Sequence, residues 1–374
     1  MEQRLKRLLQ DFNWHSMNHV YQSMGMTTME NLTIRKLSKP QHPAWDQYVD
    51  RHPDGSFFHL SGWLDVIHSV FGHQHHYLLA EDENKLVGVL PLFEQKSWLF
   101  GHALISTPFC VYGGALSDNA VIREKLEAAA YELGCDLNVD YVELRDKSPV
   151  ESTGPWVTHT HHTSFQCALP EDPEAILTTI KRKQRAVIRH SQKNELQWDN
   201  TDNPKVCFDL YAESVRNLGT PVFSGKLFCA LKETFGDRCE TLIIQDKDQQ
   251  PVSGVLSFYY KNQVLPYYGG GKHAARDLKS NDFMYFQLMH IAQQKGMTSF
   301  DFGRSKIDSG AYKYKKHWGM EEVPLHYRIA LVKAKALPNL SPNNPKYKYF
   351  IQAWQKLPLS VSRHLGPFLS KYLG

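Results

Sequence analysis

Charged and aromatic side chains gather in one short segment near residue 300, where the sequence predicts that a strand ends. Asp301 and Arg304 lie at the end of that strand, and lysines alternate with aromatic residues from Tyr312 to Trp318. Cations beside aromatic rings can bind an anionic, partly flat group by charge and by stacking. Because α/β proteins usually bind ligands at the carboxyl ends of their strands, this segment, interpreted as a loop, is the first candidate for a functional site.

The chemistry that these residue types favour is the attack of an amine on an activated acyl group. Such a reaction needs proximity, one weak base and an oxyanion donor, which backbone amides at a strand bulge can supply. Asp301 would orient or deprotonate the amine, or would simply hold Arg304 or a nearby lysine in place. Arg304, Lys306, Lys313 and Lys315 would hold donor or acceptor phosphates. The sequence has no GxSxG, Walker or HExxH motif, so the usual hydrolase, kinase and metalloprotease signatures are missing.

A glycine turn and a helix start precede this segment. Tyr268 and Gly269 would line an acyl slot, and Gly270 lets the backbone approach a ligand closely. The helix that begins near Asn281 presents free amide groups that can hold a phosphate or carboxylate. Ordinary helix capping by Asn281 is the alternative.

The elements that position these residues are predicted to occur twice in the chain. Two strands, a third strand with a Tyr-Gly-Gly turn, a helix and a further strand follow in the same order in 76–144 and again in 240–302. We therefore predict a duplicated α/β (α+β) domain, in which each copy is a mixed sheet flanked by helices. The predicted boundaries are an N-terminal extension at 1–30, domains at 31–165 and 166–336, and an amphipathic tail at 337–374.

Two segments outside the copies have alternative interpretations. The segment 173–196 is predicted as one helix in which Arg182, Arg185 and Arg189 form a basic stripe; this is either a solvated face or a clamp on phosphates. The tail combines aromatic, apolar and basic residues and is interrupted by Pro358 and Pro367. It either packs back across the domains or lies in the headgroup plane of a membrane.

Composition narrows the class of protein. The chain has 374 residues, 42% of them hydrophobic, which is enough for two domains with real cores. A net charge of +4 gives the protein too weak an overall electrostatic field to indicate nucleic acid binding. The six cysteines show no metal-ligand or disulfide spacing, so we expect no metal site and a reducing compartment. With no signal sequence or membrane span in view, we expect a cytoplasmic protein, with peripheral inner-membrane contact as an alternative.

The motifs around the candidate site resemble a known family. They are the run Asp301–Ser305, the pairs Ser309-Gly310 and Trp318-Gly319, and the preceding Tyr268-Gly269-Gly270 and Asn281-Asp282. Together they are similar to the FemAB-related branch of the GNAT superfamily, in particular to proteins associated with exosortase (PEP-CTERM) exopolysaccharide loci.

This resemblance implies two tandem GNAT-like domains, the second of which carries the active site. It implies an acyl- or aminoacyltransferase that modifies an amino group of a sugar or lipid-linked precursor in exopolysaccharide or cell-envelope synthesis. The expected donor is acyl-CoA. Because the GNAT pyrophosphate motif has no clean match between Gly271 and Asp282, an aminoacyl-tRNA is the alternative donor, with the basic stripe at Arg182–Arg189 on its phosphates. A non-enzymatic accessory protein of polysaccharide export is the second alternative.

The residues and the resemblance together give the predicted site. The predicted catalytic residues are Asp301, Arg304 and Lys313, and the predicted substrate-binding residues are Tyr268, Gly269, Gly270, Asn281, Ser305, Lys306, Ser309, Gly310, Tyr312, Lys315, Trp318 and Arg185.

Overall fold

The computed structural model describes residues 31–98, 100–151, 154–199, 202–336 and 348–372. The predicted N-terminal extension at 1–30 and the first part of the predicted tail, 337–347, lie outside these residues.

The first half alternates short strands with three helices. In chain order its elements are β1 Thr33–Lys36, α1 His42–Arg51, α2 Gly62–Phe71, β2 Gln74–His75, β3 Leu78–Asp82, β4 Lys85–Leu90, β5 Phe93–Ser97, β6 Gly101–Ile105, β7 Leu116–Ser117, α3 Ala120–Asp136, β8 Tyr141–Asp146 and β9 Trp156–His159.

The second half and the tail continue the same alternation. Their elements are β10 His162–Ala168, α4 Ile176–Thr179, α5 Arg182–Ser191, β11 Gln197–Asp199, α6 Pro204–Asn217, α7 Lys226–Phe235, β12 Cys239–Gln245, β13 Pro251–Tyr260, β14 Gln263–Gly271, α8 Ala275–Leu278, α9 Ser280–Gln294, β15 Ser299–Asp301, β16 Ser305–Lys306, α10 Gly310–Trp318, β17 Glu321–Pro324, β18 His326–Leu331, α11 Lys348–Gln355 and α12 Leu359–Ser370.

The sheets repeat one topology in the two halves. Within the described ranges, the first half has a sheet in the order β1-β3-β4-β7 and a sheet in the order β2-β5-β6-β8-β18-β9. The second half has the order β11-β12-β13-β14-β15-β10-β16, with β17 also paired to β10. In each half a helix, α3 or α9, connects two parallel strands, β6 to β8 and β14 to β15. The predicted duplicated α/β fold is therefore confirmed.

One strand is exchanged between the halves. β18 follows the second copy in the chain but pairs with β8 and β9 in the sheet of the first copy. The strand β10, which contains the predicted boundary between residues 165 and 166, belongs to the sheet of the second copy. Each copy is consequently joined to the other by a strand that crosses between them.

Aromatic packing unites the two halves in one core. The ring of Phe57 stacks on that of Phe258 at 4.4 Å, and the ring of Phe58 lies 5.0 Å from that of Tyr267. These four side chains belong to a single cluster that draws buried residues from both copies. Because burial of apolar surface is the main stabilising contribution, this shared cluster holds the two halves together, beside a second cluster in the second half and a third in the first.

The basic aromatic segment predicted as a loop is the helix α10. Ser309 begins it, since its Oγ accepts a hydrogen bond from the backbone N–H of Tyr312 at 3.1 Å. Gly319 ends it with a φ of 85°, a conformation that favours glycine. Tyr314 and Trp318 lie four residues apart and so share a face of the helix. The loop prediction was wrong because the alternation of lysine and tyrosine hid this helical spacing.

The single helix predicted over 173–196 is two helices. The backbone is extended at Ile180, with ψ 145°, between α4 and α5. There the side chain of Ile180 is buried, and the backbone N–H of Lys181 donates to the carbonyl of Trp318 at 3.2 Å. The contact with α10 therefore interrupts a pattern that is helical in sequence.

The described part of the tail packs against both halves. Arg216 Nη1 donates to the carbonyl of Leu357 at 2.9 Å, and Ser370 Oγ donates to the carbonyl of Val222 at 3.1 Å. The imidazole of His73, in the first half, lies 2.6 Å from the carbonyl of Lys371. These contacts agree with the packing alternative for this segment.

Candidate functional site

Two parallel strands diverge at the centre of the second half. β14 and β15 pair only at their starts, where Gln263 lies opposite Ser299 and Val264 opposite Phe300. Further along, β14 bulges against β13: Leu256 pairs with Tyr268 and Ser257 with Pro266, so Tyr267 is the extra residue. The divergence separates the carboxyl ends of the two strands, which is the position where the sequence predicted a ligand.

Asp301, at the end of β15, is fully buried and accepts four hydrogen bonds. Its Oδ2 accepts from Tyr112 Oη at 2.9 Å and from Gln166 Nε2 at 3.1 Å. Its Oδ1 accepts from the hydroxyl of Ser164 and from the backbone N–H of Gly303, the latter at 2.8 Å. Because Tyr112 belongs to the first copy, the carboxylate joins the two halves at the divergence.

Lys315, on α10, fixes the chain just after Asp301. Its Nζ donates to the carbonyls of Phe302, Gly303 and Arg304 at 2.6, 3.0 and 3.3 Å. All three ammonium hydrogens are therefore bound to backbone rather than to a ligand. Burial lowers the pKa of Lys315 to about 8, although the neighbouring Asp301 carboxylate raises it.

Arg304 lies where the two halves meet. It interacts with the hydroxyl of Tyr327, and its charge reaches the imidazole of His162. Burial first, and then the charges of Arg304 and Arg145, lower the pKa of His162 to about 3. No carboxylate in the described residues forms an ion pair with Arg304. A partly buried guanidinium without a carboxylate partner is suited to an anionic ligand.

A cationic cavity of about 690 Å³ lies at the amino end of α9. Gly271, Asn281 and Tyr314 line it, and the hydroxyl of Tyr314 donates to the Asp282 carboxylate at 3.0 Å. The helix end adds partial positive charge. Its basic lining residues are Lys272, His273, Arg276 and Lys279, and its acidic lining residue is Asp282.

The corresponding position in the first copy has the opposite charge. A cavity of about 840 Å³ lies at the amino end of α3, and it includes Asn119, the residue that caps this helix. Arg51 and Arg123 also line it. Its acidic lining residues are Asp54, Asp118, Glu124, Glu127 and Glu151. The charge pattern therefore favours an anion in the second copy over the first.

The glycines at the end of β14 have two roles: two of them allow helices to pack closely, and the third borders the cavity. A Cβ on Gly269 would lie 2.7 Å from Tyr285 Oη, and one on Gly270 would lie 2.5 Å from Ser214 Cβ. These two glycines therefore let helices α9 and α6 approach β14, while Gly271 borders the cavity. Tyr268 is buried among aromatic rings, such as that of Tyr211 at 5.5 Å.

Most of the remaining predicted site residues on or next to α10 contact other parts of the protein and so stabilise the fold. Ser309 caps the helix, and Gly310 follows at its first position with open space around it. The hydroxyl of Tyr312 donates to Glu322 Oε2 at 3.1 Å, and Trp318 is buried with its ring 5.5 Å from that of Phe302. Lys313 is exposed.

Ser305 and Lys306 form β16, which pairs with Thr163 and His162 at the start of β10. Arg185 lies on α5, apart from these strand ends, and its partly exposed side chain has a buried Nε with no hydrogen-bond partner among the described residues. The structure thus brings Asp301, Arg304, Ser305, Lys306 and Lys315 together at the strand ends. It places Asn281 in the lining of the cavity, and the remaining predicted residues lie around the strand ends and the cavity.

Sequence reasoning did not select the residues that complete the site from elsewhere in the chain. Tyr112, Ser164, Gln166, His162 and Tyr327 come from β10, β18 and the turn before β7. Two signals were available. Tyr112 begins the first Tyr-Gly-Gly turn, and Ser164 and Gln166 are polar residues two apart on a strand, so they face one way.

The described residues lack a metal-binding cluster and a membrane-spanning helix. No group of three or more His, Cys, Asp or Glu side chains is placed to hold a metal ion in the ranges described. None of the helices described there has both the length and the apolar character that crossing a bilayer requires.

Comparison with known proteins places these features in context. Residues 161–316 match the family model of the acetyltransferase (GNAT) domain. A segment of 75 residues is 31% identical to a lipid II:glycine glycyltransferase of Staphylococcus epidermidis, and it spans 18% of this chain and 18% of that protein.

Solved structures are similar over most of the chain. FemX aligns with a TM-score of 0.64 at 14% identity, covering 86% of this chain and all of FemX. A tandem GNAT protein from the clavulanic acid biosynthesis pathway aligns with a TM-score of 0.52 at 11% identity, covering 82% of this chain and all of that protein. The predicted likeness to the GNAT superfamily and to Fem-type proteins is confirmed, while the exosortase-associated type remains a prediction. The chain therefore has the fold of two tandem GNAT-like domains, and residues 161–316 match the acetyltransferase (GNAT) domain.

Proposed function

We propose that this protein transfers an acyl or aminoacyl group to an amino group of a sugar or lipid-linked precursor in cell-envelope or exopolysaccharide synthesis. The observation that carries the proposal is the cationic cavity at the amino end of α9, beside the divergence of β14 and β15. Donors of acyl groups are activated through phosphate-bearing carriers, and this cavity offers basic side chains and a helix amino terminus to such a carrier.

The reaction joins the amine nitrogen to the donor's carbonyl carbon, and the bond from that carbon to the carrier's sulfur or oxygen breaks. The amine proton leaves with the carrier or through a weak base. The bulge at Tyr267 supports a backbone amide as oxyanion donor, since a bulged residue is released from regular strand pairing. Arg304 would hold an anionic part of the donor or acceptor.

Asp301 and Lys315 are proposed as positioning residues. The four hydrogen bonds to the Asp301 carboxylate leave it surrounded by donors, and the three from Lys315 fix the backbone that carries Arg304. A misplacement of a catalytic or binding group by about 1 Å can cost about 100-fold in rate, so these contacts matter for turnover.

Two donors remain candidates. Acyl-CoA is the donor that a GNAT domain suggests. The similarity to a lipid II:glycine glycyltransferase and the fold of FemX favour an aminoacyl donor, charged tRNA, and a lipid-linked acceptor. The basic residues Arg182 and Arg189 are exposed on α5, where they could contact tRNA phosphates.

The test is mass spectrometry of amino-sugar and lipid-linked acceptors after incubation with the purified protein and a panel of acyl-CoA thioesters or charged tRNAs. We expect a mass increase equal to one acyl or aminoacyl group, and RNase treatment abolishes it only if the donor is tRNA. Arg304→Gln is expected to reduce the product, whereas Lys125→Gln, at an exposed position on α3, is expected to leave it unchanged. An unmodified acceptor with every donor would contradict the proposal.

A further inference from the structure

The last helix of the tail, α12, turns its small residues toward the protein, whereas α11 buries Trp354. Ser362, Gly366 and Ser370, spaced four apart on α12, are buried. A Cβ on Gly366 would lie 2.6 Å from the carbonyl oxygen of Val222, so the helix backbone approaches the second half closely. The buried face of α12 is therefore a stripe of small side chains with little apolar surface to bury.

The large apolar residues of the same helix face outward. Val361, Leu365 and Phe368, at four- and three-residue spacing, are 38%, 44% and 66% exposed. On α11, Tyr349 and Phe350 are 80% and 42% exposed. An ordinary surface helix of a globular protein buries its apolar stripe. On α12 this arrangement is reversed, and it leaves an apolar ridge uncovered by the described protein.

The charged residues of the described tail have one sign. Residues 348–372 contain four Lys or Arg residues and no Asp or Glu. Arg363 forms an ion pair with Asp209 at 2.8 Å, whereas Lys348 and Lys356 are exposed and Lys371 lies at the end of α12. Lysines beside an apolar, aromatic ridge match the interface of a bilayer that carries anionic lipids, because the cations reach the headgroups while the ridge enters the acyl boundary.

We propose that α11 and α12 bind the surface of an anionic membrane, with the ridge of Val361, Leu365 and Phe368 inserted between the headgroups. The contacts of Arg216 with Leu357 and of Ser370 with Val222 hold both helices against the second half, so the ridge is fixed in place before binding. This preorganisation lowers the cost of docking.

The orientation that results brings the site toward the bilayer. Gln355, on α11, lines the cationic cavity, and its Nε2 donates to the carbonyl of Asn217 at 3.2 Å. The cavity therefore borders the helices that meet the membrane. If the proposed transfer reaction holds, this position favours acceptors that are themselves anchored in the bilayer. That consequence rests on the proposed function, whereas the proposal of membrane binding is independent of it.

The test is sedimentation of the full chain with vesicles of phosphatidylcholine alone and of phosphatidylcholine with phosphatidylglycerol. We expect binding to the anionic vesicles that weakens as salt increases. The double variant Leu365→Ser, Phe368→Ser should bind at least about tenfold more weakly, because it removes two inserted side chains. Lys356→Gln should weaken binding about fivefold.

The matched control is Trp198→Ser. Trp198 is 44% exposed, as is Leu365, but it lies on β11, away from the tail helices. It should bind like the unmodified chain, and circular dichroism should show that all variants remain folded. Equal sedimentation with both vesicle types and with the double variant would overturn the proposal. So would failure of the unmodified chain to bind, or a dimer in solution that the double variant converts to monomer.

Discussion

At the scale of single residues, the site depends on buried polar groups that hold one another in place. Asp301 gathers donors from both copies, and Lys315 binds the three carbonyls that follow it. Neither group is free to act on a ligand while these bonds persist. They fix the backbone next to Arg304, which has no ion-pair partner among the described carboxylates. Buried networks of this kind are rigid because each unsatisfied member would be costly.

The first prediction concerns the protonation of Lys315. Burial lowers its pKa to about 8, so the ammonium form, with three donors for three carbonyls, is lost as the pH rises through about 8. We expect Lys315→Gln to reduce kcat about 10- to 100-fold at pH 7 with a smaller change in KM. The ratio of the two kcat values should shrink above about pH 8. A ratio independent of pH would contradict this role, and Lys125→Gln, at an exposed position on α3, is the control.

The second prediction concerns the pair of Arg304 and His162. Burial is the first cause of the lowered pKa of His162 and the charge of Arg304 the second, so Arg304→Gln should raise this pKa while leaving it below 6.5. Because a histidine with a lowered folded-state pKa destabilises the fold as the pH falls below about 6.5, the variant should also lose less stability in acid. NMR titration of the His162 ring measures the shift. An unchanged pKa would show that Arg304 does not act on this histidine, and Lys313→Gln serves as control.

The residues that could be found from sequence were those close together in the chain. Asp301, Arg304, Ser305 and Lys306 were selected because one strand end carries them all. Their partners Tyr112, His162 and Tyr327 come from positions that only the folded chain brings near, through the exchanged strand and the junction of the copies. The contact between the Lys315 side chain and backbone carbonyls could not be predicted from the sequence either, because a lysine near a strand end is equally compatible with binding a phosphate.

At the scale of elements, the pattern of strands and helices was predictable where periodicity was strong. The hairpin of β12 and β13 and the helices α3 and α9 lie close to their predicted positions. The prediction failed at α10 and at the break between α4 and α5. At α10 the alternation of lysine and tyrosine hid the helical spacing. At the break, the contact of Lys181 with Trp318 is a tertiary interaction that overrides the local helical pattern.

The third prediction tests how β18 is held in the sheet of the first copy. The guanidinium of Arg328 is fully buried and binds Glu127 through both Nη atoms and Asp146 through Nε, the latter at 2.8 Å. Arg328→Met removes the closest counter-charge of both buried carboxylates and leaves them only Arg123, at 3.8 Å from Glu127 and 3.3 Å from Asp146. We therefore expect a loss of about 3–5 kcal/mol of unfolding free energy.

Denaturant titration measures this loss. The control is Arg35→Met, because Arg35 is exposed on β1 and its pair with Glu81 is expected to contribute less than about 1 kcal/mol. Equal losses for the two variants would show that burial of the Arg328 pairs is not what holds β18 in the sheet.

At the scale of the whole molecule, the two copies form one structure with divided roles. The second copy has the cationic cavity and the divergent strands, while the first copy supplies Tyr112 to Asp301 and has an acidic cavity at the corresponding helix. A shared aromatic core and the exchanged strand join them. The topology is thus repeated in both copies, while the charge of the equivalent cavity differs.

The fourth prediction follows from the exchanged strand. A shortened chain that ends at Pro324 lacks β18, so in the sheet of the first copy β8 and β9 lose the strand that pairs with both of them. We expect this chain to lose cooperative thermal unfolding in both halves, because one buried cluster draws residues from both of them. A chain that ends at Ala336 keeps β18 and should unfold in one transition. A cooperative transition in the shorter chain would contradict the exchange as a requirement for folding.

Calorimetric measurement of donor binding tests the cationic cavity most directly. We expect acyl-CoA or charged tRNA to bind the unmodified chain, and we expect Arg276→Glu with Lys279→Glu to weaken binding at least about 100-fold, since two cations become anions. Lys125→Glu, on the equivalent helix α3 of the first copy, should leave binding unchanged. Equal affinity of all three proteins for the donor would contradict the claim that the second copy's cavity holds it.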